Sequence, residues 1–209
     1  DLAQGDFVSA QMRLEKVKNQ MLFRKQQGID DPLSWARLLC DLGLLYQQQG
    51  KLEQGRLVSE EAVKLCQEMN LSDAPGYALT NLGYIFFEQA QESSGGSSLE
   101  LLEKAQEAFK ESVQTWENED RTNLKIEALA GLGLTQAKMG NALDALECIE
   151  TVLLHLADHS LLGALDPTRI FVSCWEVLKL VEDPRAIDVL AMGLKHLDDL
   201  VEKQDDSSL

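Results

Sequence analysis

His155 and His159 stand four residues apart with Asp158 between them, a spacing that would present two imidazoles to a metal ion from one helix face. No HExxH glutamate accompanies them, and the pair lies near a helix end just before Gly163, so a helix-terminal or surface role is expected and no metal is. Gly50 and Lys51 could open a phosphate loop, but Leu45 stands where the earlier glycine is required and Leu52 where Ser or Thr would meet magnesium. Cys40, Cys66, Cys148 and Cys174 show no CxxC spacing and read as reduced, buried thiols of a cytoplasmic protein. Neither a GxSxG elbow nor a glycine-rich turn for a nucleotide occurs, and Glu60-Glu61, Asp198-Asp199 and Asp205-Asp206 read as solvated faces or tail. The expectation is a protein without catalytic residues or cofactor.

Charge and hydropathy narrow the partners. The 209 residues are 44% hydrophobic and 26% charged, which suits a folded chain, and the net charge is -16. That field repels phosphate, so no nucleic acid is expected. No apolar run reaches about 18 residues, so no membrane span is expected either. The opening thirty residues are the basic part: Arg13, Lys16, Lys18, Arg24 and Lys25 stand there against Asp1, Asp6, Glu15 and Asp30.

The elements that position these residues follow a repeat. Leu39, Leu42, Gly43 and Tyr46 form an LxxLGxxY pattern followed by Gly50, Gly55 and Ala62; Leu79, Leu82, Gly83 and Phe86 form LxxLGxxF followed by Ala105, Phe109 and Ser112. Leu129, Leu132 and Gly133 lead to Gly140, Ala145 and Ile149, and Ile170, Cys174 and Val177 lead to Ala186 and Leu190. Small residues at these points let two helices approach while larger apolar residues fill either side. The aligned residues Gly43, Gly83, Gly133 and Cys174 are 40, 50 and 41 positions apart. The long interval contains the polar stretch 89–98, read as a flexible inserted loop. Asp31-Pro32, Asp166-Pro167 and Asp183-Pro184 mark helix starts, and Gly28, Gly50 and Gly140 mark helix ends.

The resulting organisation is the second helix of an incomplete repeat over 1–30, a repeat over 31–74, one over 75–120 carrying the loop, one over 121–165, and a degenerate repeat with an acidic tail over 166–209. In the opening segment Gly5, Ala10, Leu14 and Val17 fit a turn and a second helix, whose Ala10, Leu14 and Val17 face is expected to lie uncovered and to offer a homodimer contact. A start at Asp1, in the middle of a helical pair, suggests a chain cut from a longer one.

These motifs resemble the tetratricopeptide repeat family over nearly the whole chain, with a spacing like the longer-helix variants of kinesin light chains and bacterial signalling regulators. The segment 176–206 is similar to the C-terminal repeats of large bacterial regulators that carry an NTPase module. The resemblance implies an all-α, right-handed α-solenoid of antiparallel helix pairs, acting as a non-catalytic scaffold that binds a protein or peptide within a larger regulatory protein. In that family the concave face takes first-helix positions that fall here on Cys40, Leu44 and Gln47; Thr80, Tyr84 and Phe87; Ala130, Leu134 and Ala137; and Phe171, Trp175 and Leu178. Asn81 falls where related repeats hold a peptide backbone, or where they make a helix-to-helix bond. Cys40 and Leu44 replace the Lys and Asn of a carboxylate clamp. The mostly apolar set suits an amphipathic basic helix, and a small-molecule sensor of a bacterial regulator is the alternative.

Overall fold

The computed structural model describes residues 7–71 and 74–206, with side chains left out at Ala74 and at 203–206, so Gly5 and the carboxylates of Asp205 and Asp206 lie outside the described residues. Among the described residues every regular element is a helix. They are α1 (Phe7–Gln26), α2 (Pro32–Gln48), α3 (Leu52–Glu68), α4 (Ala74–Glu92), α5 (Gly96–Asn118), α6 (Thr122–Lys138), α7 (Ala142–Asp158), α8 (Pro167–Leu180) and α9 (Ala186–Asp206). Three residues connect α2 to α3, α4 to α5 and α6 to α7, and so short a link between touching helices folds the second back antiparallel on the first.

Local chemistry sets the ends. Asp31 accepts a bond from the Ser34 N–H and is followed by Pro32 in the first turn; Asp166 accepts from the Thr168 and Arg169 N–H groups ahead of α8. Asp183 and Pro184 sit slightly outside α9, where an Asp183 carboxylate oxygen takes the Arg185 N–H at 2.9 Å. Gly50 and Gly140 end α2 and α6 with φ of +70° and +85°, in the left-handed region that a side chain would strain.

The chain divides into two units, Asp1–Arg121 and Thr122–Leu209. In the first, α2 packs on α1, α3 and α4, and α4 also touches α3 and α5. Leu38, Leu42 and Leu45 of α2 enclose Ala10, with Phe7, Leu14 and Met21 of α1 packed around them. Of the Ala10, Leu14 and Val17 face expected to lie bare, α2 therefore covers Ala10 and packs on Leu14, while Val17 stays 41% exposed. What else α1 leaves in water is the opposite row, led by Val8 and Met12. In the second unit α6 packs on α7 and α8, and α8 also touches α7 and α9.

The polar stretch expected as an inserted loop is helical at both ends. Residues 89–92 continue α4 and 96–98 begin α5, leaving three connecting residues, with Gly95 at φ +67°. Ser98 Oγ donates to the Ala90 carbonyl at 2.8 Å and staples the two helix ends. The extra length was absorbed by longer helices, 19 and 23 residues against the 17 of α2 and α3.

Small residues do set the close approaches. A Cβ on Gly83 would lie 2.6 Å from the Phe109 ring, and one on Gly76 2.5 Å from the Trp116 ring. Both rings are fully buried and cannot yield. Gly83→Ala is expected to destabilise the first unit by about 1–3 kcal/mol, read from urea unfolding, because the helices must separate or Phe109 must leave its rotamer.

Candidate functional site

The residues expected to line a groove lie mostly inside the helix packing. In the first unit Leu44, Gln47, Tyr84 and Phe87 are 4–6% exposed and Thr80 and Asn81 1% each. Thr80 Oγ1 bonds to the Gly76 carbonyl at 2.9 Å and shares a hydrogen bond with Ser112 Oγ at 2.8 Å, tying α4 to α5. The Asn81 side-chain amide donates to the Cys40 carbonyl at 3.0 Å, so it serves α2 and α4 rather than an incoming backbone. Tyr84 meets Phe109 edge to face, with ring centroids 4.9 Å apart. Thr80, Asn81 and Tyr84 are helix-to-helix contacts, and a partner could reach them only by parting those helices.

In the second unit Leu134 is buried, Phe171 packs against Gly193 and the His196 ring of α9, and Ala137 and Trp175 are half-buried. The Lys179 ammonium sits 4.8 Å from the centre of the Trp175 ring, and that cation would have to move before a partner could stack there.

What the packing leaves in water is the neighbouring row, which the sequence argument passed over. Gln47 Nε2 donates to Glu88 Oε1 at 2.7 Å, holding a half-buried carboxylate between α2 and α4. Asp41, on the exposed side of α2, is accessible, yet the surrounding protein desolvates its carboxyl and raises its pKa. The legible signal was the position five after the small residue: Gln48, Glu88, Lys138 and Lys179 are all polar there. One step along a helix turns about 100°, enough to move from the core face to its rim.

Elsewhere Glu127 and His155 tie neighbouring segments together. Glu127 of α6 is wholly buried; its carboxylate accepts the Leu165 N–H at 2.7 Å, the Asp166 N–H at 3.3 Å and Arg169 Nη2 at 2.7 Å. Burial pushes its pKa up, and the Arg169 charge and the Leu165 N–H oppose that shift. His155 Nε2 lies 2.7 Å from Asn123 Oδ1, while the Asn123 amide donates to the Ser160 and Leu162 carbonyls, so the imidazole nitrogen is the donor. Burial first, then the charges of His159 and Lys125, lower the pKa of His155. Its stacking on His159, centroids 4.6 Å apart and 7° from parallel, orders the start of the α7 to α8 connection. No group of three or more potential metal ligands occurs among the described residues, and Cys40 and Cys174 are buried thiols whose pKa burial raises, that of Cys174 to about 12.

A cleft of about 170 Å³ lies between α1, α2 and α3, lined by Met21, Arg24, Ile29, Asp31, Trp35 and Glu61 among others. It is smaller than the roughly 300–1,000 Å³ of ordinary ligand sites. Among the described residues no helix is long and apolar enough to cross a membrane.

No protein-family model matches the chain, and no curated protein does. Among solved structures it is similar to the crystal structure of BtubC (BKLC) from P. vanneervenii, with a TM-score of 0.65 and 22% sequence identity over 95% of this chain and 76% of that one. At that identity the likeness shows the helical fold alone.

Proposed function

We propose that this chain is a non-catalytic, cytoplasmic scaffold, a tetratricopeptide-like α-solenoid, whose first unit receives a basic amphipathic segment of a protein partner on the acidic rim at Asp41. The observation that carries the reading is a pair of acids on touching helices, Asp41 exposed on α2 and Glu88 half-buried on α4 and held by Gln47. A guanidinium or ammonium brought to Asp41 gains a stronger attraction than at a fully solvated carboxylate, because less solvent screens it. Glu88 adds a second acceptor that α2 and α4 hold in place through Gln47. Four thiols without a disulfide fit a reducing compartment.

The test is fluorescence anisotropy with a labelled peptide that sets Lys and Leu at helical spacing. Asp41→Lys is expected to weaken its binding about fivefold at low salt, with helicity by circular dichroism kept. Asp144→Lys, an equal change of charge at an exposed position of α7, serves as control and is expected to alter binding less than about twofold. Equal responses from the two variants would remove the Asp41 rim as the site.

A further inference from the structure

Helix α9 is apolar over more of its circumference than α8 covers. Ala186, Val189 and Gly193 face inward, and Gly193 lies against Phe171 of α8. One residue further along the helix runs a second row, Ile187, Leu190, Leu194, Leu197 and Val201, exposed by 76%, 43%, 55%, 41% and 58%. Its spacing of three and four is that of a helix-packing seam, and Asp198 and Glu202 border it. A continuous apolar stripe of this length is unlike the single exposed leucines found on any surface.

At the other end of the sequence, α1 carries the complementary character. Phe7, Ala10, Leu14 and Met21 are spent against α2. The outer row retains Val8, Met12 and Phe23, exposed by 71%, 67% and 63%. Around the helix stand Arg13, Lys16 and Lys18 against the single acid Glu15, with Arg24 and Lys25 lining the cleft beside α2 and α3, whereas α9 sets Asp188, Asp198, Asp199 and Glu202 against Lys195 in its described side chains.

We propose that the exposed row of α9 docks the outer row of α1 of a second copy, so that copies of this chain associate head to tail. Two different surfaces meet, one basic and one acidic, and neither is self-complementary: α9 on α9 would bring Asp198 and Glu202 against their own kind, and α1 on α1 would oppose its cations. Because the two surfaces differ, the contact closes as a dimer or ring or runs on as a chain according to where they lie on one copy. It is independent of the Asp41 rim, since none of these residues belongs to that site.

The test is sedimentation velocity of the whole chain over a wide concentration range. The weight-average mass is expected to rise with concentration above the 23.3 kDa monomer and to fall back as salt rises. Leu194→Glu with Leu197→Glu blocks one surface, and Met12→Glu with Phe23→Glu blocks the other; all four side chains are exposed, so helicity by circular dichroism should be kept. Each double variant alone is expected to lose at least about tenfold in association, and an equimolar mixture to form dimers and stop there, since one good surface of each kind remains. A wild-type monomer at several hundred micromolar would overturn the proposal. So would a double variant that still self-associates, or a mixture that does not pair.

Discussion

Truncating Phe109 to alanine is expected to destabilise the first unit by about 3–5 kcal/mol. The ring is fully buried between α4 and α5, presses on the bare backbone of Gly83 and meets Tyr84 edge to face at 4.9 Å. Removing it deletes the transfer free energy of an aromatic side chain, leaves a cavity that rigid helices close only partly, and takes away the Tyr84 contact. Urea unfolding followed by far-ultraviolet circular dichroism measures it. Because Phe109 and Gly83 share one space, their effects should not add: Gly83→Ala should cost markedly less in the Phe109→Ala background, where its methyl group enters the cavity. Additive losses would mean that Phe109 is not what requires glycine at position 83.

Replacing Glu127 with alanine is expected to cost the second unit about 3–5 kcal/mol, for an electrostatic reason. Its carboxylate is the shared acceptor for the Leu165 and Asp166 N–H groups and for Arg169. Without it, two backbone donors lose their partner, and a guanidinium only 12% exposed keeps the Asp166 carboxylate, 3.7 Å from its Nε, but loses its closest acceptor. Glu127→Gln keeps one acceptor oxygen and the shape, and about 1–3 kcal/mol is expected there. Hydrogen exchange at Leu165, Asp166 and the first turn of α8 locates the damage. Unchanged protection at those amides in Glu127→Ala would show that Asp166, which caps α8 on its own account, suffices to hold that end.

How far the site was legible follows from the geometry of one helix turn. The periodicity of Leu79, Leu82 and Gly83 identifies the buried face of α4, and burial of those residues agrees with it. It does not say how wide that face is. With α2, α3 and α5 all packed on α4, the face broadens until Thr80, Asn81, Tyr84 and Phe87 are inside it. The Asn81 amide could have served a peptide backbone or the Cys40 carbonyl, and only the separation of α2 from α4 selects the second.

By itself the sequence determined that the chain is helical, where α2 and α8 begin and where α2 and α6 end, and several of the small residues that stand at the close approaches. Those features rest on local chemistry: Asp-Pro caps at Asp31 and Asp166, glycines with positive φ at Gly50 and Gly140, and apolar spacing near 3.6. Tertiary structure decided the rest, because exposure is a property of neighbours. It turned the polar stretch 89–98 into helix ends stapled by Ser98, covered the Ala10 face of α1 with α2, and left Asp41 and the outer rows of α1 and α9 as the surfaces that remain to be met.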